Sequence, residues 1–320
     1  MSGDDASRTV FTGAAVFDGS TLREGAIVVV EAGRVAAVLS TAETPAGAVT
    51  RLEGGVLAPG FVDLQVNGGD GIMLDAAAGA PGIARICAAH ARLGTTGLLA
   101  TLITDTPEAT RAVIVAGIDA AAAGVPGFLG LHIEGPHLDP RRKGAHDPRL
   151  IRPMDAVDVA ALCAAAGRLP ALMVTLAPEA ATPAQIAALA GAGVIVSLGH
   201  SDCGLVAARA AVDAGARAVT HLFNAMSPLG HREPGLVGAA LDTGEVHAGL
   251  IADGVHVAPE AMRAALAAKR GPGRIFAVTD AMAFTGTTLP EITLGGRRIR
   301  RRDGRLTLAD GTLAGADCDM

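Results

Sequence analysis

The sequence predicts an α/β chain: a (β/α)8 barrel with a small β-sandwich domain built from the two chain ends. Three observations carry that prediction. Eight short apolar runs alternate with Ala-rich, helix-favouring segments between residues 59 and 289. Residues 1–58 and 290–320 have a different texture, with β-branched runs punctuated by glycine. The polar residues able to do chemistry fall just after the apolar runs, and a barrel opens all its strand ends on one face. A doubly wound open sheet is the alternative, but no GxGxxG follows a strand to support it.

Taken in order, Val10–Phe17, Ala26–Glu31 and Arg34–Leu39 read as strands, with an Ala32-Gly33 turn joining the last two as a hairpin. The barrel strands are expected at Gly60–Gln65, Gly97–Thr101, Phe128–Ile133, Ala171–Leu176, Val194–Leu198, Ala218–Leu222, His247–Ile251 and Ile275–Thr279. The helices between them are expected at Gly82–Leu93, Pro107–Ala123, Met154–Gly167, Thr182–Gly191, Gly204–Ala214 and Pro259–Lys269, several ending at glycine. Glu291–Leu294, Arg297–Arg301 and Arg305–Leu308 return to β texture.

Composition excludes several classes. Hydrophobic residues make up 50% of the 320 and charged ones 18%, so the chain can bury a large core and disorder is not expected. The apolar stretch Val113–Val125 is broken by Asp119 and too short to cross a bilayer. The N-terminus MSGDDASRTV has no basic segment followed by an apolar one, so a cytoplasmic location is expected. Cys87, Cys163, Cys203 and Cys318 are scattered, which argues against a disulfide framework or a Cys-zinc site. Net charge is −6, and the one basic run, Arg297–Arg302, reads as a solvated hairpin rather than a nucleic-acid surface. Trp and Tyr are absent, so a sugar ligand would be gripped by hydrogen bonds and charge instead of stacking.

Among the residues placed after the strands, Gln65 and Asn67 follow the first. His132, Glu134 and His137 follow the third, His200 the fifth, His221 and Asn224 the sixth, His256 the seventh and Asp280 the eighth. Glu134, His200 and His221 offer one carboxylate and two imidazoles, a set that holds catalytic zinc with a fourth position open to water. The metal lowers that water's pKa from about 15.7 to about 7. Asp280 could be a helix N-cap; beside a metal it would take the water's proton and pass it to the leaving amine. His146, in the loop after Arg141, Arg142 and Lys143, the loop Gly230–Gly235, and His256 supply groups suited to an anion such as phosphate.

The motifs LAPGFVDLQVNG, LHIEGPHL, KGAHDP, SLGHSD, THLFNAM, REPGLVGA, GLIADGVHV and VTDAM run in this order from residue 57 and resemble the N-acetylglucosamine-6-phosphate deacetylase family of the amidohydrolase superfamily. The resemblance implies that Glu134, His200 and His221 ligate one divalent ion, zinc first, with iron, manganese or cobalt also acceptable. It implies that Asp280 is the general acid/base and that Ala145, His146 and His256 meet the sugar, acetyl group or phosphate. Asn224, Ala225 and Arg232 match the phosphate-binding part, with Arg232 supplied across the interface of a homodimer or larger homo-oligomer. Gln65 and Asn67 stand where many amidohydrolases carry two histidines for a second metal, so the site is expected to be mononuclear. The implied reaction, in amino-sugar catabolism, converts N-acetyl-D-glucosamine 6-phosphate to D-glucosamine 6-phosphate and acetate. N-acetylgalactosamine 6-phosphate deacetylation and another amidohydrolase reaction are the alternatives; the dinuclear members' bridging lysine is missing, since only Lys143 and Lys269 lie inside the barrel segment. Members of that family continue past Leu313-Ala314-Gly315, so the C-terminal part is expected to be truncated at Met320. A catalytically inactive barrel acting as a binding protein is the reading of a different class.

Overall fold

Four consecutive residues of Ala26–Glu31 are buried instead of every second one, which marks a strand covered on both faces. In the computed structural model, which describes residues 8–320 other than Thr41 and Thr44, this strand is β4 of a small β-unit that ends at Gly60. Its neighbours are β1 (Arg8–Thr12), β5 (Arg34–Ser40) and β6 (Ala48–Arg51), in the order β5-β4-β1-β6. A second sheet holds β2 (Ala15–Phe17), β3 (Leu22–Arg23) and β7 (Val56–Leu57). One face of β4 (Ile27, Val29) packs with Val10, and the other (Ala26, Val28) packs with Val16 from the second sheet. The Ala32-Gly33 hairpin is present, with both residues at positive φ (49° and 75°) as a tight two-residue turn requires. The expected strand Val10–Phe17 is two strands, because Gly13 turns at φ 89° and a Cβ there would lie 2.3 Å from Leu52 O. Residues 1–7, most of the segment read for a leader, lie outside the described residues.

The second unit runs Phe61–Met320. Its eight parallel strands are β8 (Phe61–Val66), β11 (Thr95–Ile103), β12 (Phe128–Glu134), β13 (Leu172–Leu176), β14 (Ile195–Leu198), β15 (Ala218–Val219), β16 (His247–Ile251) and β17 (Ile275–Val278), each beside its neighbour in sequence order. A short ribbon, β9 (Gly68–Gly69) and β10 (Ile72–Met73), follows β8. Helices α1 (Gly79–Ala91), α2 (Pro107–Ala122), α3 (Ala156–Ala166), α4 (Pro183–Gly191), α5 (Leu205–Asp213), α6 (Gly235–Asp242) and α7 (Pro259–Ala268) alternate with the strands. This is the (β/α)8 barrel the sequence predicts. The starts of α2, α3 and α4 are fixed by caps on Thr106, Asp155 and Thr182.

One feature differs from expectation. Helix α6 continues directly from the loop Gly230–Gly235, where the sequence shows no helix signal. It is short, has no side-chain cap, and buries seven of its eight residues, so it lacks an amphipathic period. The C-terminal strands β18 (Glu291–Leu294), β19 (Arg297–Arg302) and β20 (Arg305–Thr307) form an antiparallel meander within the barrel unit, over Met282, Phe284, Ile299 and Leu306. No described helix is long and apolar enough to cross a membrane.

Candidate metal centre

Strand β12 is buried along most of its length and ends at Glu134, 2% exposed, at the mouth of the barrel. Gly135 must follow: its φ is +82° and a Cβ would sit 2.2 Å from Thr104 Oγ1. Past β14 and β15 the chain turns into the left-handed region at His200 (φ 48°), His221 (30°), Phe223 (77°) and Ala225 (50°), and past β17 at Asp280 (54°). Such conformations cost roughly 1–2 kcal/mol each for residues with a Cβ. Their concentration at one barrel mouth marks a site held against local preference.

The result is a convergence. Glu134 Oε1 lies 3.2 Å from His200 Nε2 and 3.2 Å from His221 Nε2, and the two nitrogens are 3.0 Å apart. Among the described residues these three form the one cluster of ligand atoms able to hold a metal. Atoms sharing a tetrahedral ion at about 2.1 Å lie about 3.4 Å apart, so these separations fit within a few tenths of an ångström. The donor chemistry fits too. His200 donates Nδ1–H to Arg142 O at 2.8 Å, which leaves its Nε2 with a lone pair aimed at another nitrogen and a carboxylate oxygen. A cation at their centre would hold three such atoms together. Glu134 is held well below the usual carboxylate range: burial pushes it up, but His200 and His221 outweigh that.

Gln65 and Asn67 arrive from the end of β8 as amide donors. Gln65 Nε2 donates to both Glu134 oxygens (3.1 and 3.2 Å) and to Asp280 Oδ1 (3.1 Å), and Asn67 Nδ2 donates to Asp280 Oδ1 at 2.7 Å. The side-chain hydrogen bonds of Asp280 therefore all fall on Oδ1, Oδ2 has no hydrogen-bond partner among the described residues, and Asp280 lines the same cavity as the cluster. Burial, and next the Glu134 charge, push the Asp280 carboxyl up to about 6, against His221 and the Asn67 bond.

Asn67, Glu134, His200, His221 and Asp280 line a cavity of about 360 Å³ together with Arg141, Arg142, Ala145, His146, Asn224, Ala225 and His256. His146 accepts the Thr104 N–H at Nδ1 (3.2 Å), so its proton sits on Nε2; burial, aided by His200, keeps the ring neutral well below its usual range. Asp253 accepts His256 Nδ1–H at 2.7 Å. Thr104 and Asp253, which orient these rings, carry no sequence signal of their own. A larger groove of about 750 Å³ opens beside Asp75, Asp105 and Arg85, but it gathers no convergent ligand set.

Not every residue singled out in the sequence reaches the cavity. His132 points into the barrel interior, donating to Leu64 O and meeting Thr175 Oγ1 at 2.7 Å, and burial lowers it to about 4. His137 faces Arg152 O and Asp158 instead. Arg141 and Arg142 line the cavity but pair with Asp139, Glu179 and Asp202. Arg232 is exposed and outside the cavity of its own chain.

Residues 56–281 match the Amidohydrolase family. An N-acetylgalactosamine-6-phosphate deacetylase from Shewanella sp. (strain ANA-3) is 40% identical over 270 residues, 84% of this chain and 68% of that protein. The crystal structure of N-acetylglucosamine-6-phosphate deacetylase from Pasteurella multocida superposes with a TM-score of 0.92 at 32% identity, over 98% of this chain and 82% of that one. A mutant N-acetyl-D-glucosamine-6-phosphate deacetylase from Mycobacterium smegmatis, in complex with N-acetyl-D-glucosamine-6-phosphate, gives a TM-score of 0.88 at 36% identity, over 98% and 81%. The chain spans about two thirds of the length of the curated relatives it matches.

Proposed function

Because the chain belongs to the amidohydrolase family, we propose that it hydrolyses the acetamide of N-acetyl-D-glucosamine 6-phosphate, giving D-glucosamine 6-phosphate and acetate. The observation that carries this reading is the joint presence, around one cavity, of the Glu134/His200/His221 cluster and an Asp280 carboxyl whose side-chain hydrogen bonds all fall on Oδ1.

Glu134, His200 and His221 would hold one divalent ion, zinc first by its preference for two imidazoles and a carboxylate. When bound, that ion supplies the positive charge that makes water acidic enough to attack an amide near neutral pH. Asp280 Oδ2 takes the water's proton while Oδ1 stays fixed by Gln65 and Asn67. The same oxygen then gives that proton to the departing amine, so water adds one proton to nitrogen and one hydroxyl to the acetyl carbon. His146 Nε2–H polarises the acetyl carbonyl and holds the oxyanion that forms. Gln65 and Asn67 bind the two carboxylates where a second metal would otherwise neutralise them, which favours a single ion. His256, braced by Asp253, and the two loops carrying Ala145 and Asn224-Ala225 bind the sugar phosphate. Arg232 reaches the phosphate from a neighbouring subunit of a homodimer. A cytoplasmic location agrees with a phosphorylated substrate.

A second reading, N-acetylgalactosamine 6-phosphate as substrate, is favoured by the name of the Shewanella relative. Acetate release measured on both epimers with zinc-loaded protein tests the two. Preference for the gluco epimer supports the first, preference for the galacto epimer the second, and turnover of neither removes the deacetylase reading.

A further inference from the structure

The seam between β8 and β17 is held unlike the other strand junctions of the barrel, where paired backbone ladders run along the strands. Here the backbone bonds are Asp280 N–H to Gln65 O (3.0 Å) and Asn67 N–H to Ala281 O (2.8 Å), both at the mouth. Beneath them a side chain takes over. The Asp63 carboxylate accepts Thr279 N–H at 3.3 Å on each oxygen and the Thr279 hydroxyl, and accepts Gln65 N–H on its own strand at 3.1 Å. Asp63 is 0% exposed, and no cationic side chain among the described residues pairs with it. A buried carboxylate without a counter-ion is costly, and its hydrogen bonds are what make it tolerable.

The partners of Asp63 are not arbitrary. Gln65 carries the amide that bridges Glu134 and Asp280, and Thr279 precedes Asp280, whose left-handed backbone must be held by its surroundings. Thr279 Oγ1 also accepts Ala281 N–H at 3.2 Å, so the residues on both sides of Asp280 are tied to this one latch. We propose that Asp63 is a positioning residue that fixes β17 against β8 and thereby aims the Asp280 carboxyl at the Gln65 and Asn67 amides. The inference rests on the reading of Asp280 as the proton-transfer group.

The test compares Asp63→Asn, Thr279→Val and Thr279→Ser in zinc-loaded protein, by kcat and KM for the sugar phosphate, bound metal, and crystal structures of the variants. An Asn at 63 turns an N–H toward the Thr279 N–H and loses one acceptor, so kcat is expected to fall about 10- to 100-fold, as small misplacements of a reacting group do. KM and metal content stay near the parent's, and the Asp280 Oδ1 to Asn67 Nδ2 separation opens from 2.7 Å. Thr279→Val lowers kcat while Thr279→Ser, which keeps the hydroxyl, restores it. An unchanged separation and kcat in Asp63→Asn, or a Ser variant as poor as Val, overturns the proposal. Where Asp63→Asn fails to fold, the Thr279 pair decides. If the parent turns over neither epimer, the function reading has failed, and the crystallographic separation still decides whether Asp63 aims Asp280.

Discussion

Replacing Asp280 with Asn separates the two jobs assigned to this side chain. The amide is isosteric, so Oδ1 can go on accepting from Gln65 at 3.1 Å and Asn67 at 2.7 Å, and the frame of the site persists. The loss is confined to Oδ2, which can no longer take a proton. General acid–base catalysis is worth about 10²–10⁴ in rate, or about 3–5 kcal/mol in the barrier. If Asp280 were only a hydrogen-bonded turn residue, its loss would cost about 1 kcal/mol of stability and little turnover. The assay is acetate release under steady state, with metal content measured on the same samples. The account expects kcat lower by two to four orders of magnitude, KM within a few-fold, and metal retained. The pH profile gives an independent check. The base must be unprotonated, so parent kcat/KM should rise with pH through about 6; a cation in the cluster, by offsetting the Glu134 charge, moves that limb lower. The variant should lack the limb. Activity within tenfold of the parent, or a loss tracking lost metal, would refute the reasoning.

The Asn67 bond lowers the Asp280 carboxyl, so Asn67→Ala should move the acidic limb of the pH–rate profile upward; an unmoved limb contradicts the assigned bond. Asp253→Ala removes the acceptor that braces His256 at 2.7 Å, and KM for the sugar phosphate should rise about tenfold with a smaller change in kcat, read from initial rates. His132 is buried neutral with its pKa lowered to about 4, so its contribution to stability is present above the unfolded value and lost as pH falls between about 6.5 and 4. That amounts to about 2 kcal/mol between pH 7 and pH 5. Asp63, raised by burial to about 6, works the other way over part of that range. Between pH 7 and pH 5 the urea-derived stability of His132→Gln should therefore move upward relative to the parent's by about 2 kcal/mol, and an equal change in the two proteins would contradict the burial argument.

Much of the barrel is legible because its strands are short apolar runs between capped or glycine-ended helices, and burial on both faces leaves little else for such runs to be. The cluster itself is legible for the same reason: Glu134, His200 and His221 are among the polar residues that follow those runs at one end, and they are the ones that form a metal-ligand set. What surrounds the cluster is not. Nothing in the composition announces that His200, His221, Ala225 and Asp280 adopt left-handed backbone, since glycine usually signals that region. The groups orienting the rings, Thr104, Asp253 and the Arg142 carbonyl, meet them only through tertiary packing. Charge misleads for a related reason. Arg141 and Arg142 look available for an anion in sequence, yet Asp139, Glu179 and Asp202 arrive from three loops to pair with them. Helix α6 escapes because it is buried all round.

The central claim is one divalent ion held by Glu134, His200 and His221 in a site that deacetylates a hexosamine 6-phosphate. Elemental analysis of the zinc-loaded protein, before and after chelation and beside a His200→Ala variant, with acetate release followed on the same samples, tests it most directly. The account predicts about one ion per chain, lost together with activity on chelation, restored together on adding zinc, and absent in the variant. Two ions per chain, or full turnover by the metal-free protein, would contradict it.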